Sequence, residues 1–206
     1  MNLSDFDYLF LQRNSTIPTY LYPLTDCSHF VTEEHFNVMA LPVQNEPGDS
    51  VEVGKLSYQF INLAAGINKG VCSFDIMDSV SQDLAEIQDI MIDDESAFYK
   101  EEFLDAIHSD SGALNLIYIS DDEPLSSEWG PAAVHLLLEH KTDIGFAIVG
   151  VSNLFESAST SEQQTAQKRC EILRLMGFVQ YKDSPYFFLD CSLQLADLPA
   201  KYLVGA

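Results

Sequence analysis

Residues 113–150 constrain the fold more tightly than any other part of the chain. They open with an apolar run, ALNLIYIS (113–120), whose β-branched and aromatic residues suit a buried strand. An acidic turn follows, DDEPLSSEWGP (121–131). Gly130 and Pro131 then open a helical stretch, AAVHLLLEHK, since a proline in the first helical turn has no amide hydrogen to leave unpaired. A second apolar strand, IGFAIVGV (144–151), completes the unit. Strand, turn, helix and strand in this order are the best evidence for a sheet and for a ligand slot beside it.

The rest of the composition narrows what such a unit serves. A chain of 206 residues suits one domain, and 47% hydrophobic with 11% aromatic residues is enough for a core of ordinary size. Acids outnumber bases 32 to 10, for a formal charge of -22. A surface of that sign repels nucleic acid phosphates and anionic membranes, and it favours cationic partners: amines, basic peptides, or a protein that itself grips DNA. The same charge also serves plain solubility. Cys27, Cys72, Cys170 and Cys191 are widely spaced and form no CxxC pair, which points to free thiols rather than a disulfide framework. The first residues, MNLSDFDYLFLQRN, lack a basic start followed by a long apolar run, and no stretch reaches membrane-spanning length. A soluble cytoplasmic protein is the expectation.

Along the chain, Phe6, Leu9 and Phe10 fit one face of a short helix, and Pro18 and Pro23 impose an extended path on 17–24. Alternation predicts a hairpin of strands 36–43 and 51–63 around the turn 45–50. A helical turn over 64–70 ends at Gly70, a helix over 82–92 takes Ser79 or Ser81 as its cap, and a further helix covers 95–107 with Phe98 and Phe103 inward. A serine-rich loop leads into a helix over 162–176, stopped by Gly177. Strands start at Phe178 and over 186–193. The expected class is α/β (α+β), a mixed, mostly antiparallel sheet with helices on both faces. The expected organisation is an N-terminal arm (1–30), one domain (31–193) and a C-terminal tail (194–206).

Two stretches carry a family resemblance. One is the unit 113–150, and the other is CEILRLMGF (170–178) followed by YFFLDCS (186–192). Over roughly 31–192 their order resembles the GNAT superfamily of acyl-CoA-dependent N-acetyltransferases. The resemblance implies two central parallel strands that splay to seat acyl-CoA, so acetyl-CoA is the implied cofactor. It also implies a pyrophosphate loop reading Arg or Gln, two residues, Gly, one residue, then Gly or Ala. Ser127-Glu128-Trp129-Gly130-Pro131-Ala132 stands there, so Trp129, Gly130 and Ala132 become the implied cofactor-binding residues. Ser127 replaces the Arg or Gln, and Pro131 removes a donor. The family's general-acid tyrosine, four residues before the Gly of Gly-Phe, is replaced by Leu173. Tyr181 and Tyr186 lie nearby as substitutes, Tyr181 being the candidate acid.

An amine must be neutral to attack a thioester. Asp121, Asp122, Glu123 and Glu128 follow the first central strand, with Asp122 and Glu123 the candidate bases; the same residues also read as a solvated acidic turn. His135 and Glu139, four apart, share a helix face, while His29 and His35 flank Glu33 and Glu34 without a metal-binding pattern. No GxSxG, P-loop or GxGxxG occurs. Residues 75–128 hold a belt of acids in which Lys100 is the one Lys or Arg. Two readings follow. One is a GNAT-like N-acyltransferase for a cationic amine, with some of its site degenerate. The other is a non-catalytic acidic protein on the same scaffold that engages a basic or DNA-handling partner.

Overall fold

The alternation of apolar and polar residues in 31–61 sets the first half of the sheet. A computed structural model describes residues 5–14, 27–43, 49–93, 95–141, 143–152, 154, 159–193 and 195–202. Strands β1 (Phe6–Arg13), β2 (Val31–Pro42) and β3 (Val51–Ile61) form an antiparallel meander. Helices α1 (Leu63–Asn68), α2 (Ser73–Asp78), α3 (Gln82–Met91) and α4 (Glu101–Ile107) follow, before β4 (Leu116–Ile119) returns the chain to the sheet. Helix α5 (Gly130–Glu139) then leads to β5 (Phe146–Gly150), and α6 (Thr160–Leu175) to the hairpin β6 (Val179–Gln180) and β7 (Tyr186–Asp190). Among the described residues the sheet has seven strands, in the order β1-β2-β3-β4-β5-β7-β6. Among the described residues only β4 and β5 run parallel; every other neighbouring pair is antiparallel. The class is therefore α+β, with an open, mixed, mostly antiparallel sheet.

Each strand sends alternate residues to two cores, because successive side chains point to opposite faces. Ile117, Ile119, Ala147, Val149, Phe187 and Leu189 meet α5 and α6. Leu116, Tyr118, Phe146, Ile148, Tyr186 and Phe188 meet the layer α1–α4. β4 and β5 are buried throughout apart from Gly150, which is why their sequences are apolar runs rather than alternations. The two halves of the sheet meet narrowly: β3 and β4 pair over three positions, Gln59–Ile61 against Tyr118–Leu116.

The structure corrects several expectations. Phe6–Arg13 is an edge strand, not a helix. Leu9 and Leu11 alternate onto the α5-side core, and pairing with β2 outweighs the weak helical spacing of Phe6, Leu9 and Phe10. The sheet thus begins inside the expected arm. The helix expected over 95–107 starts only at Glu101. Ala97 takes a positive φ of 59° and Ile92 bridges Tyr99, so a tight loop precedes the helix and leaves Phe98 66% exposed. Helix α2 was not expected at all. Ser81, not Ser79, caps α3 by accepting from the Leu84 amide at 3.2 Å. β4, β5 and β7 are shorter than their apolar runs. The extended path of 17–24, most of the turn 45–50 and much of the serine-rich loop lie outside the described residues.

Candidate functional site

The carboxyl ends of β4 and β5 are where a slot was expected. β4 pairs with β5 along its whole length, from Leu116 against Phe146 to Ile119 against Val149. Just beyond, Asp122 ties the end of β4 to Ser152, two residues past the end of β5. The Ser152 amide donates to one of its oxygens at 3.0 Å, and the Ser152 hydroxyl to the other at 2.7 Å. The Arg169 guanidinium, from α6, lies 2.9 Å from the same carboxylate and donates to the Ser126 hydroxyl at 2.6 Å. Asp122 is 2% exposed and Arg169 9%. Two opposite charges buried with this many hydrogen bonds form a closed knot, not an open base.

The amino end of α5 is equally occupied. A Cβ on Gly130 would lie 1.8 Å from the Pro124 carbonyl oxygen, so the glycine serves contact with the protein's own turn (123–126). The Gly130 amide donates to the Ser127 hydroxyl at 2.9 Å. Pro131 has no amide hydrogen. That leaves Ala132 as the one N–H of the first turn with no acceptor among the described residues. The Trp129 ring lies over Gly54 of β3, where a Cβ would meet it at 2.0 Å. Trp129, Gly130 and Ala132 are thus consecutive but engaged in different tasks: an anchor, a close turn contact and a single free donor.

The other candidates do not converge on this point. Glu123 is exposed, its amide bonded to Asp121 Oδ1 at 3.0 Å. Tyr181 is buried on the opposite side of the sheet among Phe103 and Phe188, at ring distances of 5.9 and 6.3 Å. Leu173 is fully buried in the α5–α6 core. His135 lies 3.5 Å from Glu139 and 3.2 Å from the Ala196 carbonyl. His35 lies 3.7 Å from Glu33. No group of three or more His, Cys, Asp or Glu has the geometry of a metal site among the described residues.

Two phenols that sequence reasoning undervalued meet the acidic layer. Tyr118 donates to Asp83 and Tyr186 to Glu86, each at 2.9 Å. Burial, then the carboxylate each phenol faces, pushes both above the usual phenol range. A phenol already donating its one proton to a carboxylate is a poor acid toward a leaving thiolate, and it fastens α3 to β4 and β7. The signal was present in part: Asp83 and Glu86 stand three apart on one helix face. A third such phenol, Tyr58, donates to Glu34 through a short hydrogen bond. Glu34 also meets Arg13 at 3.3 Å and Lys141 at 3.4 Å, and Tyr58 is pushed up by burial and by that carboxylate.

An open cleft of about 560 Å³ lies between the 126–128 turn, α6 and Lys201–Tyr202. Lys168, Lys201, Glu128 and Glu171 line it with Ile172 and Leu175, so its charges are mixed. The larger electrostatic feature is the outer surface of α2, α3 and α4. Asp75, Asp78, Asp83, Glu86, Asp89, Glu101, Glu102 and Asp105 are all exposed there, and these three helices contain no lysine or arginine. Across the sheet, α5 and α6 balance Glu139, Glu162 and Glu171 with Lys168, Arg169 and Arg174. No helix among the described residues is long and apolar enough to cross a membrane. No family model, no curated protein and no solved structure matches the chain.

Proposed function

We propose that this protein acts as a non-catalytic binding protein whose acidic helical layer engages a basic partner, on a scaffold related to the GNAT fold. The observation that carries the reading is the segregation of charge. Helices α2, α3 and α4 carry eight exposed acids and no lysine or arginine of their own, with Lys100 at the start of α4 and Lys182, 3.7 Å from Glu102, beside them, while α5 and α6 are neutral in sum. Charge serving solubility alone has no need to be confined to one side of the sheet. The scaffold is read from the strand order and from the single parallel pair, β4–β5, at its centre. An acyl carrier between those strands needs them to part, and here β4 is paired throughout and the Asp122–Arg169 knot closes the end. The binding reading therefore stands before the N-acyltransferase reading.

The test is a titration with a lysine- and arginine-rich peptide at 25 and 300 mM NaCl, where the Debye length is roughly twice and about half its value at 0.1 M. Binding is expected at low salt and should weaken strongly at high salt. Neutralising Asp75, Asp89, Glu101 and Asp105 to their amides should cost most of the affinity. Neutralising Glu52, Glu123, Glu128 and Glu171 should cost little. Equal losses from both sets would reduce the effect to net charge and end the reading. Acetyl-CoA at millimolar concentration is expected to leave the melting temperature unchanged; a cofactor-dependent rise would restore the acyltransferase.

A further inference from the structure

β1 is the terminal strand of the sheet, and nothing among the described residues pairs with its outer edge. An edge strand with free amides and carbonyls is a template for another strand unless charge, proline or brevity blunts it. β1 has eight residues, FDYLFLQR, without proline, and it carries one acid and one base. Tyr8 is 66% and Phe10 40% exposed, although each is large and apolar enough to be worth burying. Val43 and Val51 are also exposed at this end of the meander. In a chain of charge -22, a formally neutral strand adds no net repulsion of its own to a contact between two copies.

We propose that a second copy of this chain pairs antiparallel with the outer edge of β1, in the register centred on Phe10. Hydrogen-bonding parity gives the first restriction. The Asn14 amide donates inward to the His35 carbonyl at 2.9 Å, so the even residues Phe10 and Gln12 bond toward β2. Leu9, Leu11 and Arg13 then turn their amides and carbonyls outward. A two-fold pairing through those groups joins odd residues to odd residues, centred on Leu9, Phe10 or Leu11. Charge chooses among the three. Only the register centred on Phe10 sets Asp7 of one copy opposite Arg13 of the other, and does so twice; Arg13 meets Glu34 of its own chain at 3.3 Å through one guanidinium nitrogen, and its side chain stays 62% exposed with donors left for Asp7. The same register sets Leu9 opposite Leu11, Tyr8 opposite Gln12, and Phe10 opposite itself. Phe10 becomes a non-hydrogen-bonded pair, the closely spaced kind in which aromatic rings meet across strands. The irregularity between Phe6 and Tyr8 bends the strand and ends the pairing near Asp7. An interface this small is of the weak class, formed and lost as concentration changes.

Sedimentation at about 100 µM protein, a concentration suited to so small an interface, is expected to give a dimer that dissociates on dilution. Phe10→Lys should give a monomer with an unchanged far-ultraviolet spectrum. Register is read by cysteine pairing in a Cys72→Ser background, because Cys72 is exposed. A non-hydrogen-bonded pair has Cα atoms about 4.5 Å apart, within disulfide reach. Phe10→Cys should therefore give a covalent dimer on mild oxidation. Tyr8→Cys and Gln12→Cys should each stay largely monomeric alone and cross-link when mixed. A monomer at all concentrations overturns the proposal. So does a dimer that survives Phe10→Lys, or one in which Tyr8→Cys or Gln12→Cys alone cross-links better than Phe10→Cys.

Discussion

Asp122 and Glu123 are neighbours in an acidic turn, yet one is a buried partner of Arg169 and the other faces water. Removing one member of a buried ion pair leaves the other uncompensated, so Asp122→Ala should cost about 3–5 kcal/mol in urea unfolding. Glu123→Ala should stay within about 0.5 kcal/mol, as an exposed site does. Gly130→Ala and Gly54→Ala separate two views of the 127–132 segment. The first drives a methyl into the Pro124 carbonyl and the second into the Trp129 ring, so each should lose about 1–3 kcal/mol of stability. A glycine kept only for a phosphate would be replaceable without that loss. Titration adds a direction. Tyr58, Tyr118 and Tyr186 are held above the usual phenol range, and burial pushes the Cys191 thiol up to about 12. A raised folded value means that the stability is complete below the unfolded value and falls as pH climbs toward the folded one. Stability should therefore decline from about pH 9, where an unfolded thiol starts to ionise, and more steeply above about pH 10, where unfolded phenols do. Tyrosinate absorbance followed beside circular dichroism checks this: for these tyrosines it should rise with unfolding, not ahead of it.

At the level of elements, caps and pairing decide more than intrinsic preference. Ser81 accepts from the Leu84 amide, and Ser81→Ala should cost about 1 kcal/mol, measured by thermal melting. Helices with strong terminal signals were legible in the sequence. α5 begins where Gly130-Pro131 announces it, and α6 ends before Gly177, whose φ of 93° suits glycine. The apolar runs of β4 and β5 were legible because burial on both faces leaves no polar alternation to confuse them. β1 was not, since an edge strand with Tyr8 and Phe10 outward looks much like one turn of amphipathic helix until β2 is beside it. α2, six residues long, was too short for periodicity to register. The site was less legible than the fold. Sequence gathers Asp122, Glu123, Trp129, Gly130 and Ala132 into one turn, but it does not reveal Arg169, forty-seven positions beyond Asp122, closing on that turn from α6. Nor does spacing say that Tyr118 would reach across to Asp83.

At the scale of the whole molecule, the acids of α2, α3 and α4 repel one another across a shared surface. Added salt should raise the melting temperature, most steeply up to about 0.1 M, where screening first reaches about 10 Å. A scanning-fluorimetry series in NaCl measures this, and neutralising Asp75, Asp89, Glu101 and Asp105 should flatten the curve. A further consequence comes from the three-position junction of β3 with β4. Long, mutually supported pairings lie on either side of it: β1 with β2 and β2 with β3 on one flank, β4 with β5 and β5 with β7 on the other. The Trp129 ring over Gly54 is a clasp across the seam. A molecule built this way should breathe along one line, with the meander lifting as a unit while the remainder stays shut. Amide deuteration would register it as two tiers of protection, and loosening the clasp with Trp129→Ala should hasten exchange in Val51–Ile61 well before it touches Phe146–Gly150.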